Sequence, residues 1–320
     1  MIPVPHRAAP PDPPDLDAVI PEGADLVQEL LAIAVPHEDI DEILTARPQV
    51  LTGQRRERLE RNTGQLLDAV GTRDAVPLDD PVTDAAAPPA DRYFFLFLAL
   101  AVLPSTREHH RRLGIPDGIG RATLADIGRN VAVHRLTYGH GGFSDIAWCR
   151  LHLTGNLYQL GRLQFERTGL GRRTAAAIAA APDSPSPHAA VGDPAIGVHI
   201  PRYYGPMDPP SCDLSFAAAH EFFGRHYPDD RPAVAVCRSW LLDPQLADYL
   251  PASSNIVAFA RRFTPAYRPD ADDESTLRFV FGNPTVPLDR QPRRTRLERA
   301  VLDHLAAGRH WHGGVGWFAW

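Results

Sequence analysis

The 320-residue chain contains no lysine: all 33 of its basic residues are arginine. That absence removes the chemistries that depend on lysine, among them the Walker A phosphate loop, the Schiff base with pyridoxal phosphate and a lysine general base. The cause is in the coding. GC-rich DNA avoids lysine codons and favours Ala, Gly, Pro and Arg, so the bias reports on the host rather than on a site. Cysteine is scarce as well. Cys149, Cys212 and Cys237 are an odd number without close spacing, which argues against a disulfide framework and a structural zinc site and fits a reducing cytoplasm. No GxSxG, HExxH or CxxC motif occurs, so hydrolase and metalloenzyme classes lose weight and no metal is expected. The net charge of −6 speaks against a nucleic-acid partner, which needs concentrated basic surface. The longest apolar run, Tyr93 to Leu103, is shorter than the roughly 20 residues that span a bilayer. The opening residues, MIPVPHRAAPPDPPDLD, are proline-rich and acidic and lack the pattern of a signal peptide. The expectation is a cytoplasmic protein without membrane attachment.

What is present suffices for real cores. The chain is 44% hydrophobic and 22% charged, near the globular average. Residues 1–20 read as a flexible leader. Helical periodicity then runs to about residue 112, with segments at 22–35, 37–46 and 52–70 and an all-apolar stretch at 93–103 that reads as a central buried helix. His109-His110, among arginines, reads as a solvated face. Another helix is expected at 122–137. Residues 148–154 and 157–167 then look like strands joined at Gly155-Asn156, and Glu166 to Gly171 reads as a turn rather than a phosphate loop. Further on come strands at 195–200, 233–240, 255–264, 276–282 and 311–320, with helices at 213–226, 244–250 and 294–307. The fold class is therefore α+β. An all-α N-terminal domain (21–115) is followed by a domain (116–320) built on a mixed sheet flanked by helices.

Two strands carry the functional reading. Gly197 and His199 alternate with Ile196, Val198 and Ile200, while Ala235, Cys237 and Ser239 alternate with Val234, Val236, Arg238 and Trp240. If the helix at 213–226 crosses between them, the strands are parallel neighbours, and their small-residue faces leave a groove flanked by His199, Cys237 and Ser239. On local pattern alone, those faces only let a helix pack closely, with Cys237 buried and inert.

The order of elements resembles that of the GNAT superfamily of acyltransferases. More specifically, residues 124–135 (LADIGRNVAVHR), 157–167 (LYQLGRLQFER), 198–201 (VHIP), 237–251 (CRSWLLDPQLADYLP) and 254–263 (SNIVAFARRF) resemble the GNAT-like C-terminal domain of a group of bacterial acyltransferases. The helical first half resembles the N-terminal domain that accompanies it. The resemblance implies that 195–201 and 233–240 splay apart to admit the pantetheine arm of an acyl thioester, and that an amine attacks the thioester carbonyl directly. It implies His199 as base, Tyr249 as acid or else a packing residue, Ser239 as a hydrogen-bond donor and Asn255 as a group that orients a small-molecule acceptor or else only caps its strand. Arg202, Tyr203, Ser211 and Trp240 fall where the donor would be held. One departure stands out. The usual Q/R-x-x-G-x-G/A pyrophosphate loop is replaced by residues 202–212 (RYYGPMDPPSC), whose prolines lack N–H donors. The donor is therefore acyl-CoA or the phosphopantetheine thioester of an acyl carrier protein. Two alternatives remain: an acyl-enzyme formed on Cys237 with His199 as base, and a non-catalytic pantetheine-binding module.

Overall fold

The computed structural model describes residues 15–320 except 183, 185 and 187. Most of the expected leader lies outside those residues. Its last part does not behave as a leader: α1 (Leu16–Val19) is capped by the Asp15 side chain, and Leu16 and Ile20 are fully buried.

The helical layer continues with α2 (Gly23–Ala32), α3 (His37–Val50), α4 (Gly53–Ala69), α5 (Pro89–Arg92), α6 (Phe94–Arg112), α7 (Asp117–Tyr138) and α8 (Ile146–Leu153). As its all-apolar sequence demands, the first half of α6 is buried on every side and forms the axis of one core. That core takes in Leu124, Ile127, Val131, Ile146 and Leu153, so the helical layer extends well past residue 115. His109 and His110 are not solvated. Both are buried, at 9% and 5% exposure, because the last turns of α6 pack His110 against Tyr158 of the first strand and His109 against Gly71 and Gly155.

Helix α7 crosses the end of α2 at Gly128, whose N–H reaches Ile33 O at 3.0 Å. A Cβ at Gly128 would stand 2.3 Å from the backbone of residues 33–35. Alanine for a mid-helix glycine ordinarily gains about 1 kcal/mol. Here the obstacle is backbone and cannot rotate away, so Gly128→Ala should instead cost about 3 kcal/mol or more in a urea titration. A variant as stable as the parent would show that the helices do not cross there.

The remaining elements are β1 (Leu157–Leu160), β2 (Leu163–Gly169), α9 (Arg172–Ala180), β3 (Pro194–His199), α10 (Pro209–His226), β4 (Val234–Ser239), α11 (Asn255–Ala260), β5 (Thr264–Tyr267), α12 (Asp273–Phe281), α13 (Arg296–Ala306) and β6 (Gly314–Ala319). They form one mixed sheet in the order β1-β2-β3-β4-β6-β5. Among the described residues its one parallel pair is β3 and β4, linked by α10, as the sequence led us to expect. One face, with Phe165, Val198 and Cys237, packs on α10 and α11. The other, with Ala195, Val234 and Trp317, packs in part on α9.

Three expected strands are helical. Residues 148–153 belong to α8, with Thr154 as its C-cap; Ile146, Cys149 and Leu153 are buried at helical spacing and the alternation in the sequence is incidental. Residues 255–260 form α11, capped by the Ser254 hydroxyl, and only from Thr264 does a strand follow. Residues 276–281 belong to α12, capped by Asp272. The hairpin turn also lies elsewhere, at Gly161-Arg162 between β1 and β2. There the buried Ser215 hydroxyl accepts from Arg162 N (2.7 Å) and fixes the turn on α10.

Candidate active site

The parallel pairing of β3 with β4 is short. Ile196 stands opposite Ala235 and Gly197 opposite Val236, and beyond them the strands part without further pairs. The ends that diverge, His199 with residues 200–203 and Arg238 with residues 239–241, line a cavity of about 900 Å³. Its opposite wall is helical, with Asp126, Arg129 and His134 from α7 and Trp148 from α8; α12 and the approach to β6 close the side. Polar backbone at an unpaired strand end is left seeking partners, so this opening suits an extended ligand that adds hydrogen bonds of its own.

His199 projects into the cavity with a quarter of its side chain exposed. Its Nε2 lies 2.8 Å from Glu166 Oε2 on β2, and the Trp148 ring meets the imidazole edge-on at 4.7 Å between centroids. Trp148 is itself held by donation from Nε1 to Asp126 Oδ2 at 3.0 Å. Asp126 is 5% exposed. Burial alone would raise its carboxyl, but His152, Arg129 and Trp148 pull it well below the ordinary carboxylate range. The carboxylate thus stays ionised as the anchor of this wall. Asp145, at the head of α8, is pushed upward instead, because burial outweighs the attraction of Arg278.

The expected groove flanked by His199, Cys237 and Ser239 does not form as read. The register sets Ile196 beside Ala235, so the bulky face of β3 continues into the small face of β4. His199 therefore shares its face with Arg238, while Cys237 points the other way into the α10 core at 2% exposure. Burial drives the Cys237 thiol well above its ordinary range, the reverse of what a nucleophile requires. Cys237→Ala should leave turnover intact, and mass spectrometry of the intact protein after incubation with an acyl thioester should show no adduct that depends on Cys237. An adduct lost in the variant would reverse this assignment.

The other sequence-derived residues divide. Ser239, Arg202, Tyr203 and Trp240 line the cavity. The Ser239 hydroxyl accepts from Leu241 N at 3.2 Å and so also caps the turn that follows β4. Tyr249 does not reach the cavity: its hydroxyl bonds His304 Nδ1 at 2.9 Å and touches Arg309, in a separate cluster around Trp311. Asn255 is an exposed first residue of α11 and not part of a strand. Ser211 sits in the first turn of α10, where its N–H donates to Asp208 Oδ1 at 2.9 Å. Trp148 and Asp126 carry no sequence signal as site residues, and Glu166 reads from sequence only as the start of a turn, whereas residues 166–169 continue β2. The visible signal was a strand, 163–169, that carries polar Gln164 and Glu166 on the face opposite Phe165.

Among the described residues no group of His, Cys, Asp and Glu is placed to hold a metal ion, and no helix is long and apolar enough to cross a membrane.

Comparison with known proteins agrees with this architecture. Residues 157–318 match the GNAT-like C-terminal domain, and residues 24–155 match the N-acyltransferase N-terminal domain. No curated protein matches the chain. Among solved structures, an acyltransferase in complex with decanoyl-CoA and teicoplanin is 37% identical over 96% of this chain and 91% of that one, with a TM-score of 0.82. A mutant acyltransferase in complex with octanoyl-CoA is 37% identical over 93% and 88%, with a TM-score of 0.81. An acyltransferase in complex with CoA and 10C-teicoplanin is 37% identical over the same shares, with a TM-score of 0.80. A two-part match over nearly the whole chain, with the strand order and the splayed parallel pair already described, makes this protein a member of the GNAT-like acyltransferases that carry an N-acyltransferase N-terminal domain.

Proposed function

We propose that the protein transfers an acyl group from acyl-CoA to an amine of a bulky small-molecule acceptor, by direct attack in the cavity beneath the helical layer. The observation that carries this reading is the parting of β3 and β4 onto a cavity of about 900 Å³, beside a histidine. Relatives crystallised with decanoyl-CoA, octanoyl-CoA and teicoplanin support both the donor class and an acceptor of glycopeptide size. The pantetheine arm lies between the strand ends, and a backbone N–H near Ser239 polarises the thioester carbonyl, where charge develops in the transition state. The amine nitrogen bonds to the thioester carbon and the C–S bond breaks. Of the two protons that an ammonium acceptor loses, one passes to His199 and the other to the departing thiolate. Arg202, Tyr203 and Trp240 hold the donor.

A carrier-protein donor has one observation in its favour. The start of α10 offers few free donors for a pyrophosphate, because Pro209 and Pro210 have no N–H and the Asp208 carboxylate already takes Ser211 N. The two donors are separated by an assay of thiol release. With a glycopeptide amine as acceptor, decanoyl-CoA should release free thiol and give a product heavier by one decanoyl group. Release from a decanoyl carrier protein but not from decanoyl-CoA would overturn the donor assignment. Thermal stabilisation by CoA with no turnover on either donor would overturn the enzymatic reading of this cavity.

A further inference from the structure

We propose that Glu166 is a positioning residue that fixes the tautomer of His199, so that Nδ1 is the atom that accepts the proton. This rests on the reading of His199 as base and adds which nitrogen acts and what holds it. Glu166 and His199 come from adjacent antiparallel strands on one sheet face: Glu166 stands opposite Gly197, and His199 is two residues further along. An ionised carboxylate can only accept, so the 2.8 Å contact requires the proton on Nε2. The other ring nitrogen then carries the lone pair, and Nδ1 makes no hydrogen bond among the described residues. Trp148, edge-on at 4.7 Å, packs against the ring and limits its rotation. When the imidazolium forms, the carboxylate stabilises it in place, as the third member of a nucleophile–base–orienter set does.

The neighbourhood is shaped for this pair. A Cβ at Gly197 would stand 3.1 Å from each of Glu166 Cβ, Glu166 Oε2 and His199 Nε2. Any side chain there would press on the hydrogen bond itself. Glycine at 197 is thus explained by the pair above it and not by backbone conformation, since Gly197 is not among the glycines with positive φ.

The test compares Glu166→Gln, Glu166→Asp, Gly197→Ala and His199→Gln in steady-state acyl transfer, with nitrogen-15 NMR of the imidazole at alkaline pH. The parent should show the Nε2–H tautomer. Glu166→Gln, whose amide can also donate and so favour the wrong tautomer, should lower kcat on the order of 10²-fold with KM little changed, and the imidazole signal should move toward a mixture. Glu166→Asp should restore part of kcat, and Gly197→Ala should lower kcat while the protein stays folded. If His199→Gln is inactive but Glu166→Gln keeps full kcat and the parent tautomer, the positioning role is wrong and the base assignment stands. If His199→Gln keeps full turnover, the base assignment falls first and this inference with it. If Glu166→Gln loses more than His199→Gln, Glu166 is itself the base.

Discussion

Replacing His199 by alanine or glutamine should lower kcat/KM for acyl transfer by roughly 10²–10⁴-fold, the usual cost of losing a general base. Glutamine is the sharper variant. It keeps much of the size and a hydrogen-bonding amide, so it should preserve the fold and the contact with Trp148 while removing basicity. The side chain is well placed for the loss to be chemical. It is a quarter exposed to the cavity, it ends the strand at which the parallel pair parts, and its ring is hydrogen-bonded to Glu166 and packed against Trp148. A histidine needs little adjustment to act near neutral pH. Donor affinity should change far less than turnover, because in the proposed arrangement the pantetheine arm is held by strand backbone and not by this imidazole. A fully active, folded His199→Gln protein would leave the histidine as a wall of the cavity and require water or a carboxylate as base.

How far the site could be read from sequence depends on which interactions are local. Helices declare themselves through caps and periodicity, so α3, α4, α7 and α13 fall close to where the sequence places them, α13 with a complete Thr295–Glu298 capping box. The β3–α10–β4 crossover is equally legible, because apolar alternation on either side of an amphipathic helix has few other solutions. Short apolar runs are not legible in this way. Residues 255–260 (NIVAFA) satisfy a strand as well as a helix, and the Ser254 cap decides between them. Facing is harder still. Each strand's alternation was correct, yet which face of β3 meets which face of β4 is set by register across a crossover of more than thirty residues, and a shift of one residue exchanges the faces. That shift separates His199 from Cys237 and puts it on the face of Arg238, while the antiparallel register of β2 on β3 brings it Glu166. A partner from a neighbouring strand leaves no local mark except polar residues in a strand otherwise apolar. Gln164 and Glu166 were that mark.

The buried histidines predict a steep loss of stability in mild acid. Desolvation pushes His110 from 6.5 down to about 4, aided by the nearby His109 and His152. It does the same to His134, aided by His140, Arg92 and Arg135. Each is nearly inaccessible, at 5% and 1% exposure, and each has an Nε2 without a partner among the described residues. These groups are depressed bases, so the unfolded chain takes up their protons first. Their neutral forms leave the fold undisturbed above pH 6.5, stability falls as pH drops from 6.5 toward 4, and below 4 the slope from these two groups ends. Each contributes up to about 3 kcal/mol over that interval. His109, lowered by burial as well, adds in the same direction, whereas Asp145, raised by burial, takes up a proton in the folded state and offsets part of the loss. Asp126 is held below the ordinary carboxylate range and begins to lose its contribution only in stronger acid. Urea titrations at a series of pH values across this interval should show midpoints falling steadily, with His110→Phe and His134→Phe each flattening the slope. Activity should fall over the same interval in part for this reason, since His134 is a wall of the cavity and its Nδ1 lies 3.0 Å from Ser144 Oγ. Midpoints that do not change with pH, or a slope that neither variant alters, would mean that these histidines take up protons within the fold and that water reaches them where the packing leaves no room.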